Sequence, residues 1–269
     1  MTTGALIFAF NNEKTDYVSM AAWNAKRIRR HLNIPTAVVT DVDPGDSRLS
    51  GFDRVITANA ASGGTRWFED YQDSVTWHNA GRTDAYNLTP WQQTLVLDAD
   101  YVVCSDQLQQ VLNASQDFLA HRDAFNVARP NEPFLETFGR NRFPMWWATV
   151  MMFRKSNIAQ YIFDAMDMIR SNYEHYRNLY GITEKNYRND YALSIALGIV
   201  SGHTLKVDSI PWPLLSVMPD TVLSRQTWED CELWNMKYIG SDGKPKTVDI
   251  VGQDFHAMGK KHLEAAIAT

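Results

Sequence analysis

The 269 residues are 45% hydrophobic and 21% charged, which excludes disorder and low complexity and allows a large core without disulfides or structural metal. A net charge of −5 supplies no global positive field to gather nucleic acid or anionic lipid. The start MTTGALIFAFNNEK lacks the basic region of a signal peptide, and the run 143–153 is too short to span a bilayer, so a cytoplasmic protein with no membrane partner is expected.

Residues 5–10 (ALIFAF) are a short apolar run ended by Asn11-Asn12, and they predict a buried strand with a polar loop at its C-terminal end. Residues 16–32 carry Tyr17, Met20, Ala21, Ala25, Ile28 and Leu32 at helical spacing. Lys26, Arg27, Arg29 and Arg30 read as the solvated C-terminal end of that helix, where cations suit the macrodipole. Pro35 stops the helix. Residues 36–40 (TAVVT) and 54–58 (RVITA) predict two further strands, with turn chemistry from Asp41 to Gly51 between them. This alternation predicts an α/β fold with a parallel sheet covered by helices, whose ligands lie beyond the C-terminal strand ends.

Residues 62–90 are polar and aromatic, with Gly63, Gly64 and Gly81. Residues 94–97 (TLVL) predict the most deeply buried strand; Asp98-Ala99-Asp100 follows at its end, and YVVC resumes the apolar pattern. Residues 124–144 read as a long loop containing Arg129-Pro130, Pro133, Gly139 and Pro144. Residues 145–153 predict a buried strand, and 156–180 and 189–200 two amphipathic helices. Pro211, Pro213 and Pro219 divide extended segments, and the tail from Val248 reads as strand, loop and short helix. No repeat, linker or composition shift appears, so the expectation is a single domain over 1–269 with two functional halves, 1–103 and 104–269. Cys104 and Cys231 both read as small buried apolar residues. The nine Trp, eleven Tyr and twelve Phe suit a large aromatic core, with Phe8, Phe10, Phe153 and Phe163 on apolar faces, or a site that stacks a base or a sugar.

Asp98 and Asp100 carry the chemistry. Two carboxylates ending a buried strand cost several kcal/mol unless paired or liganded. In a strict strand they share a face, and oxygen ligands at that spacing suit a hard divalent cation; a turn-forming Asp pair is the plainer alternative.

Four segments together resemble the glycogenin-like glycosyltransferases. Arg82-Thr83-Asp84-Ala85-Tyr86-Asn87-Leu88-Thr89-Pro90-Trp91 followed by TLVLDADYVV is similar to that family's basic residue, Leu-Thr-x-aromatic step and strand ending in D-A-D. MWWATVMMFRKS is similar to its F-N-A-G-V-M-L-F strand, Asn189-Asp190-Tyr191-Ala192-Leu193 to its D-Q-x-x-L, and His256-Ala257-Met258-Gly259 to its H-F-x-G. The resemblance implies a single GT-A domain, a Rossmann-like nucleotide-diphospho-sugar transferase with a mixed, mostly parallel sheet flanked by helices. The half 1–103 would bind the nucleotide-sugar, and 104–269 the acceptor, with a C-terminal tail that binds metal and phosphate.

The same resemblance implies a metal-dependent hexosyl- or pentosyltransferase that uses a UDP-sugar with retention. Asp98, Asp100 and His256 would ligate Mn²⁺ or Mg²⁺, the imidazole favouring Mn²⁺. Arg82, Lys260 and Lys261 are the candidate phosphate cations, although His262 stands where the family places its lysine. Asn11, Asn12 and Tyr17 would recognise the base, and Asp41 the ribose. Asp190 would touch the donor sugar or the reacting carbon; it would also serve as a helix N-cap or as the base of an inverting enzyme.

Trp147, Thr149 and Tyr191 depart from the family's Asn, Gly and Gln and leave the sugar and the acceptor open: glycan, protein, metabolite or DNA base. An enzyme acting on hydroxylated DNA bases would use Arg129, Arg140 and Arg142. A non-catalytic nucleotide- or glycan-binding module is the rival of another class. A pyrophosphorylase is disfavoured, because Asn-Asn-Glu-Lys replaces the glycine-rich loop it needs after the first strand.

Overall fold

A computed structural model describes residues 2–62, 64–130, 134–204, 206–228 and 231–268. Gly63 and Pro133 of the expected loops lie outside these residues. The central sheet has six strands: β1 (Thr3–Phe8), β2 (Thr36–Thr40), β3 (Arg54–Thr57), β6 (Gln93–Asp98), β8 (Phe118–His121) and β12 (Trp147–Arg154), in the order β3-β2-β1-β6-β12-β8. β3, β2, β1 and β6 run parallel, and β12 runs antiparallel to both its neighbours. The fold is therefore α/β with a mixed, mostly parallel sheet.

The strands are continuous apolar runs because both faces are covered. Leu6, Ile7, Leu95, Val96, Leu97, Val150, Met151 and Met152 are all 0% exposed. Each such side chain contributes about 2 kcal/mol of apolar burial. Gly4 is required by packing: a Cβ there would lie 2.3 Å from the indole of Trp91.

Helix α1 (Tyr17–Leu32) packs along β1 and β2. Asp16 caps it by accepting the Ser19 N–H at 3.0 Å, and Asn33 ends it in the left-handed region at φ 52°. α2 (Ala85–Leu88) follows a 3₁₀ turn, Ala80–Asp84, and α3 (Leu108–Asn113) leads into β8. The expected helix 156–180 divides at Asn172 into α4 (Asn157–Ser171) and α5 (Tyr173–Tyr180). α6 (Asn189–Val200) packs on β12 and against α4; it is buried on nearly every side, not amphipathic.

Four smaller sheets surround this frame. β4 (Thr65–Phe68) and β5 (Asp73–Thr76) form a hairpin within the polar, aromatic stretch. β10 (Thr137–Phe138) pairs with β11 (Phe143–Pro144), so part of the expected long loop is a short hairpin. β7 (Tyr101–Val102), β17 (Phe255–Ala257), β13 (Leu214–Val217) and β9 (Ala124–Asn126) form a four-stranded sheet in that order. β14 (Val222–Trp228), β15 (Cys231–Ile239) and β16 (Pro245–Val251) form an antiparallel meander, whose last strand contains the expected strand from Val248. α7 (Lys260–Ile267) closes the described chain. No helix among the described residues is long and apolar enough to cross a membrane.

Two surface expectations are corrected. Arg27 is 7% exposed, because its guanidinium pairs with Glu232 at 2.5 Å and donates to the Val103 carbonyl at 2.6 Å. Cys231 is exposed at the start of β15, whereas Cys104 is buried.

Candidate active site

The strand order changes direction between β1 and β6, since β2 and β3 extend to one side and β12 and β8 to the other. In open α/β sheets that switch leaves a crevice beyond the C-terminal strand ends. Phe8, the last residue of β1, stands in register with Asp98, the last residue of β6. A cavity of about 600 Å³ opens there, lined by Phe8, Tyr17, Asp98, Asp100 and His256 among others.

Asp98 ends its strand, and Asp100 sits one turn residue later. His256 reaches them through β17, which pairs antiparallel with β7 directly after Asp100. The Ala257 N–H donates to the Asp100 carbonyl at 3.0 Å. Upstream, Asp254 Oδ1 accepts the N–H groups of Cys104 at 2.7 Å and Ser105 at 2.8 Å, fixing the tail to the chain just beyond β7. The result is a three-residue group, Asp98, Asp100 and His256, with ligand atoms all within 4.8 Å of one another. Two carboxylates and one imidazole are a donor set that fits a divalent ion such as Mn²⁺ or Mg²⁺.

Cations surround this group. Arg82, on the 3₁₀ turn and 2% exposed, pairs with Asp98 and donates to the Ala148 carbonyl at 2.8 Å. Burial pulls the Arg82 pKa down to about 10, against Asp190 and Asp100, which favour its charge. Lys260, at the start of α7, pairs with Asp100 and donates to the Ala257 carbonyl at 3.1 Å; His256 Nε2 is 3.5 Å from the same carboxylate. Burial pushes the Asp100 carboxyl up, but Lys260 first and then the His256 contact outweigh it and hold the group well below the usual range.

Asp190 lies in the first turn of α6 and lines the cavity. It does not cap its helix. Oδ1 accepts the Ala148 N–H of β12 at 3.0 Å, and Oδ2 pairs with Arg188 at 2.8 Å. Burial raises its pKa, but Arg188 and the Ala148 N–H prevail and keep the group below the ordinary carboxylate value. Ala148 thus joins two expected site residues, because its N–H serves Asp190 and its carbonyl serves Arg82. Its neighbours Trp147 and Thr149 both line the cavity.

Tyr17 lines the cavity at the head of α1. Burial and then the negative charge of Asp100 push its phenol well above the ordinary value, so it stays neutral. The other expected residues lie elsewhere. Asn11 Oδ1 accepts the Val18 N–H at 3.0 Å, and Asn12 Oδ1 accepts those of Lys14 and Thr15, each at 2.9 Å; both oxygens shape the loop into α1. Asp41 is exposed beyond β2, outside the cavity wall. Lys261 is exposed, and its backbone N–H donates to Asp70 at 2.9 Å. Arg129, of the loop considered for nucleic acid, is held by Asp220.

Sequence reasoning missed one wall of the cavity. The β4–β5 hairpin contributes Arg66, and the segment beyond it contributes Trp77. The stretch before α6 contributes Glu184, Lys185 and Arg188. Arg188 had a signal in its position two residues before Asp190; the hairpin had none, since its turn carries no Gly, Pro or Asn.

No protein-family model matches the chain, and no curated protein matches it in sequence. Among solved structures, it is similar to the glycosyltransferase GlyE of Streptococcus pneumoniae TIGR4, with 13% identity and a TM-score of 0.45 over 78% of this chain and 46% of that one. It is also similar to the galactosyltransferase LgtC in complex with donor and acceptor sugar analogues, with 14% identity and a TM-score of 0.46 over 72% of this chain and 70% of that one. The chain thus spans less than half the length of the GlyE chain.

Proposed function

We propose that this chain is a metal-dependent glycosyltransferase of the GT-A type, glycogenin-like in its motifs, that moves a sugar from a UDP-sugar to an acceptor hydroxyl. The observation that carries the reading is the convergence of Asp98, Asp100 and His256 with two cations, Arg82 and Lys260, at the strand-order switch. The N-terminal half to residue 103 would bind the donor, and 104–269 the acceptor and the phosphates.

Asp98, Asp100 and His256 would hold the divalent ion, which when bound supplies neutralisation of the leaving diphosphate. Arg82 and Lys260 lie beside the same carboxylates, where each can turn its N–H donors to phosphate oxygens. The reaction breaks the bond from the anomeric carbon to the diphosphate oxygen and forms one to the acceptor oxygen, whose hydroxyl proton passes to the leaving diphosphate. Positive charge grows on the sugar ring as the first bond lengthens, and fixed charges placed before the reaction stabilise it without reorganisation. Asp190 is built for that work, since two donors orient it and keep it ionised. A carboxylate held below its ordinary pKa is a weak base. Asp190 therefore suits charge stabilisation or a sugar-hydroxyl hydrogen bond better than proton abstraction, which agrees with the retention expected from the motifs. Tyr17, neutral and at the cavity wall, offers a face to a base.

The test is release of nucleoside diphosphate from a panel of nucleotide-sugars with Mn²⁺, with and without EDTA. Metal-dependent release supports the proposal. Release that ignores EDTA, or none with any donor, refutes it, and binding of nucleotide without turnover would point to the non-catalytic module.

A further inference from the structure

Three carboxylates of the site have their own cations: Asp98 has Arg82, Asp100 has Lys260, and Asp190 has Arg188. Arg66 stands outside this pairing. It lines the same cavity from β4, with its guanidinium carbon 3.7 Å from the centre of the Trp77 ring. One of its terminal nitrogens donates to the Tyr187 carbonyl at 2.8 Å. Among the described residues, no carboxylate lies within ion-pairing distance of it. Burial and then the positive charge of Arg188 pull its pKa down to about 10, while Asp190 and Tyr17 act the other way. Two guanidiniums thus share one wall of the cavity, and only that of Arg188 has a carboxylate within ion-pairing distance.

A guanidinium has five N–H donors, and the bond to Tyr187 uses one. The stack on Trp77 fixes the plane of the fork, so little side-chain freedom remains to be lost when a ligand arrives. A planar fork fixed in this way matches carboxylate and phosphate oxygens in pairs.

We propose that Arg66 forms an anion subsite, separate from the Asp98–Asp100–His256 group, that takes a carboxylate or phosphate carried by the donor sugar or by the acceptor. The subsite rests on the transferase reading only for the claim that its ligand is a sugar substrate.

Calorimetric titration of the full chain tests this in two arms. The donor arm compares UDP-glucuronic acid with UDP-glucose, each with Mn²⁺. The acceptor arm compares glucose 6-phosphate with glucose, on protein saturated with UDP and Mn²⁺. In one arm the anionic probe is expected to bind at least about tenfold tighter than its neutral counterpart, the scale of one charge-assisted hydrogen bond. R66Q should erase that preference, and R66K, which keeps the charge and loses the fork, should retain part of it. Equal affinities within both pairs, or a preference that R66Q leaves intact, would overturn the subsite. If UDP with Mn²⁺ fails to bind the wild type, the UDP-sugar reading falls instead, and the subsite is then judged from glucose 6-phosphate against glucose without nucleotide.

Discussion

The central sheet and the hairpin that walls the cavity are held by different forces. In β1, β6 and β12 the apolar side chains lie at or near 0% exposure and are packed on both faces. In the β4–β5 hairpin Trp67 is 61% exposed. Polar contacts carry much of its attachment: Arg66 to the Tyr187 carbonyl, Glu13 to Thr76, Lys14 to Asp73 and Asp70 to the Lys261 N–H. Apolar burial grows with area and makes the sheet costly to open, whereas an exposed polar pair contributes about 0–1 kcal/mol. The metal-ligand candidates therefore stand on a rigid floor, and the anion-binding wall stands on an element that can shift at small cost.

Substitutions on the floor should have the largest effects. Asp100→Asn is expected to cut turnover by about a thousandfold, or about 4 kcal/mol of transition-state stabilisation; single-turnover kinetics at saturating donor would read it. Near-normal rates would show that the floor does not carry the chemistry. Leu97→Ala, one residue before the end of β6, should cost about 3 kcal/mol in urea unfolding through the cavity it leaves. A loss under about 1 kcal/mol would mean that the sheet relaxes as easily as the hairpin.

At the other end of the floor, His121 on β8 is 1% exposed; burial pulls its pKa down to about 4, against a contact with the Trp212 carbonyl. The unfolded chain takes up this proton near pH 6.5 and the folded chain only near 4, so stability present above pH 6.5 is lost as the pH falls towards 4. The difference amounts to about 3 kcal/mol. Urea midpoints between pH 4 and 7 should slope accordingly in the wild type and lose that component in His121→Phe. An unchanged slope would assign it to other groups. The hairpin should give the smallest response: Lys14→Ala removes an exposed pair with Asp73 and should change unfolding free energy by less than about 0.5 kcal/mol. A larger loss would show the hairpin to be part of the cooperative frame.

The floor was also the legible part of the sequence. Strands buried on both faces are unbroken apolar runs, so 5–10, 36–40, 94–97 and 145–153 could be read directly, and the D-A-D was conspicuous because carboxylates ended such a run. The hairpin was not, because its turn uses Gln72 at φ 52°, where a glycine or asparagine would have marked the reversal. Of the meander only the strand from Val248 was legible, and β14 and β15 were not, for another reason. Asp242-Gly243 is a hairpin signal, but β14–β16 bury only a few side chains, among them Leu223, Trp234, Met236 and Ile250, too few to stand out as periodic strands. Arg27 could not be read as buried, since its partner Glu232 is 205 residues away. Asn11 and Asn12 show the limit of motif position: a polar residue at a strand end serves a loop as readily as a ligand.

The bond between Cys104 and Asp254 spans 150 residues of sequence. The segment it anchors brings His256 and Lys260 to aspartates made much earlier in synthesis. Closing so long a loop costs entropy that only completed tertiary packing repays. A nascent chain that has reached Val251 holds both aspartates but neither the imidazole nor the lysine that completes the group. The site should therefore arrive in a single step, as the tail docks on β7, and no shorter intermediate on the ribosome should compete with the finished protein for a ligand of that site.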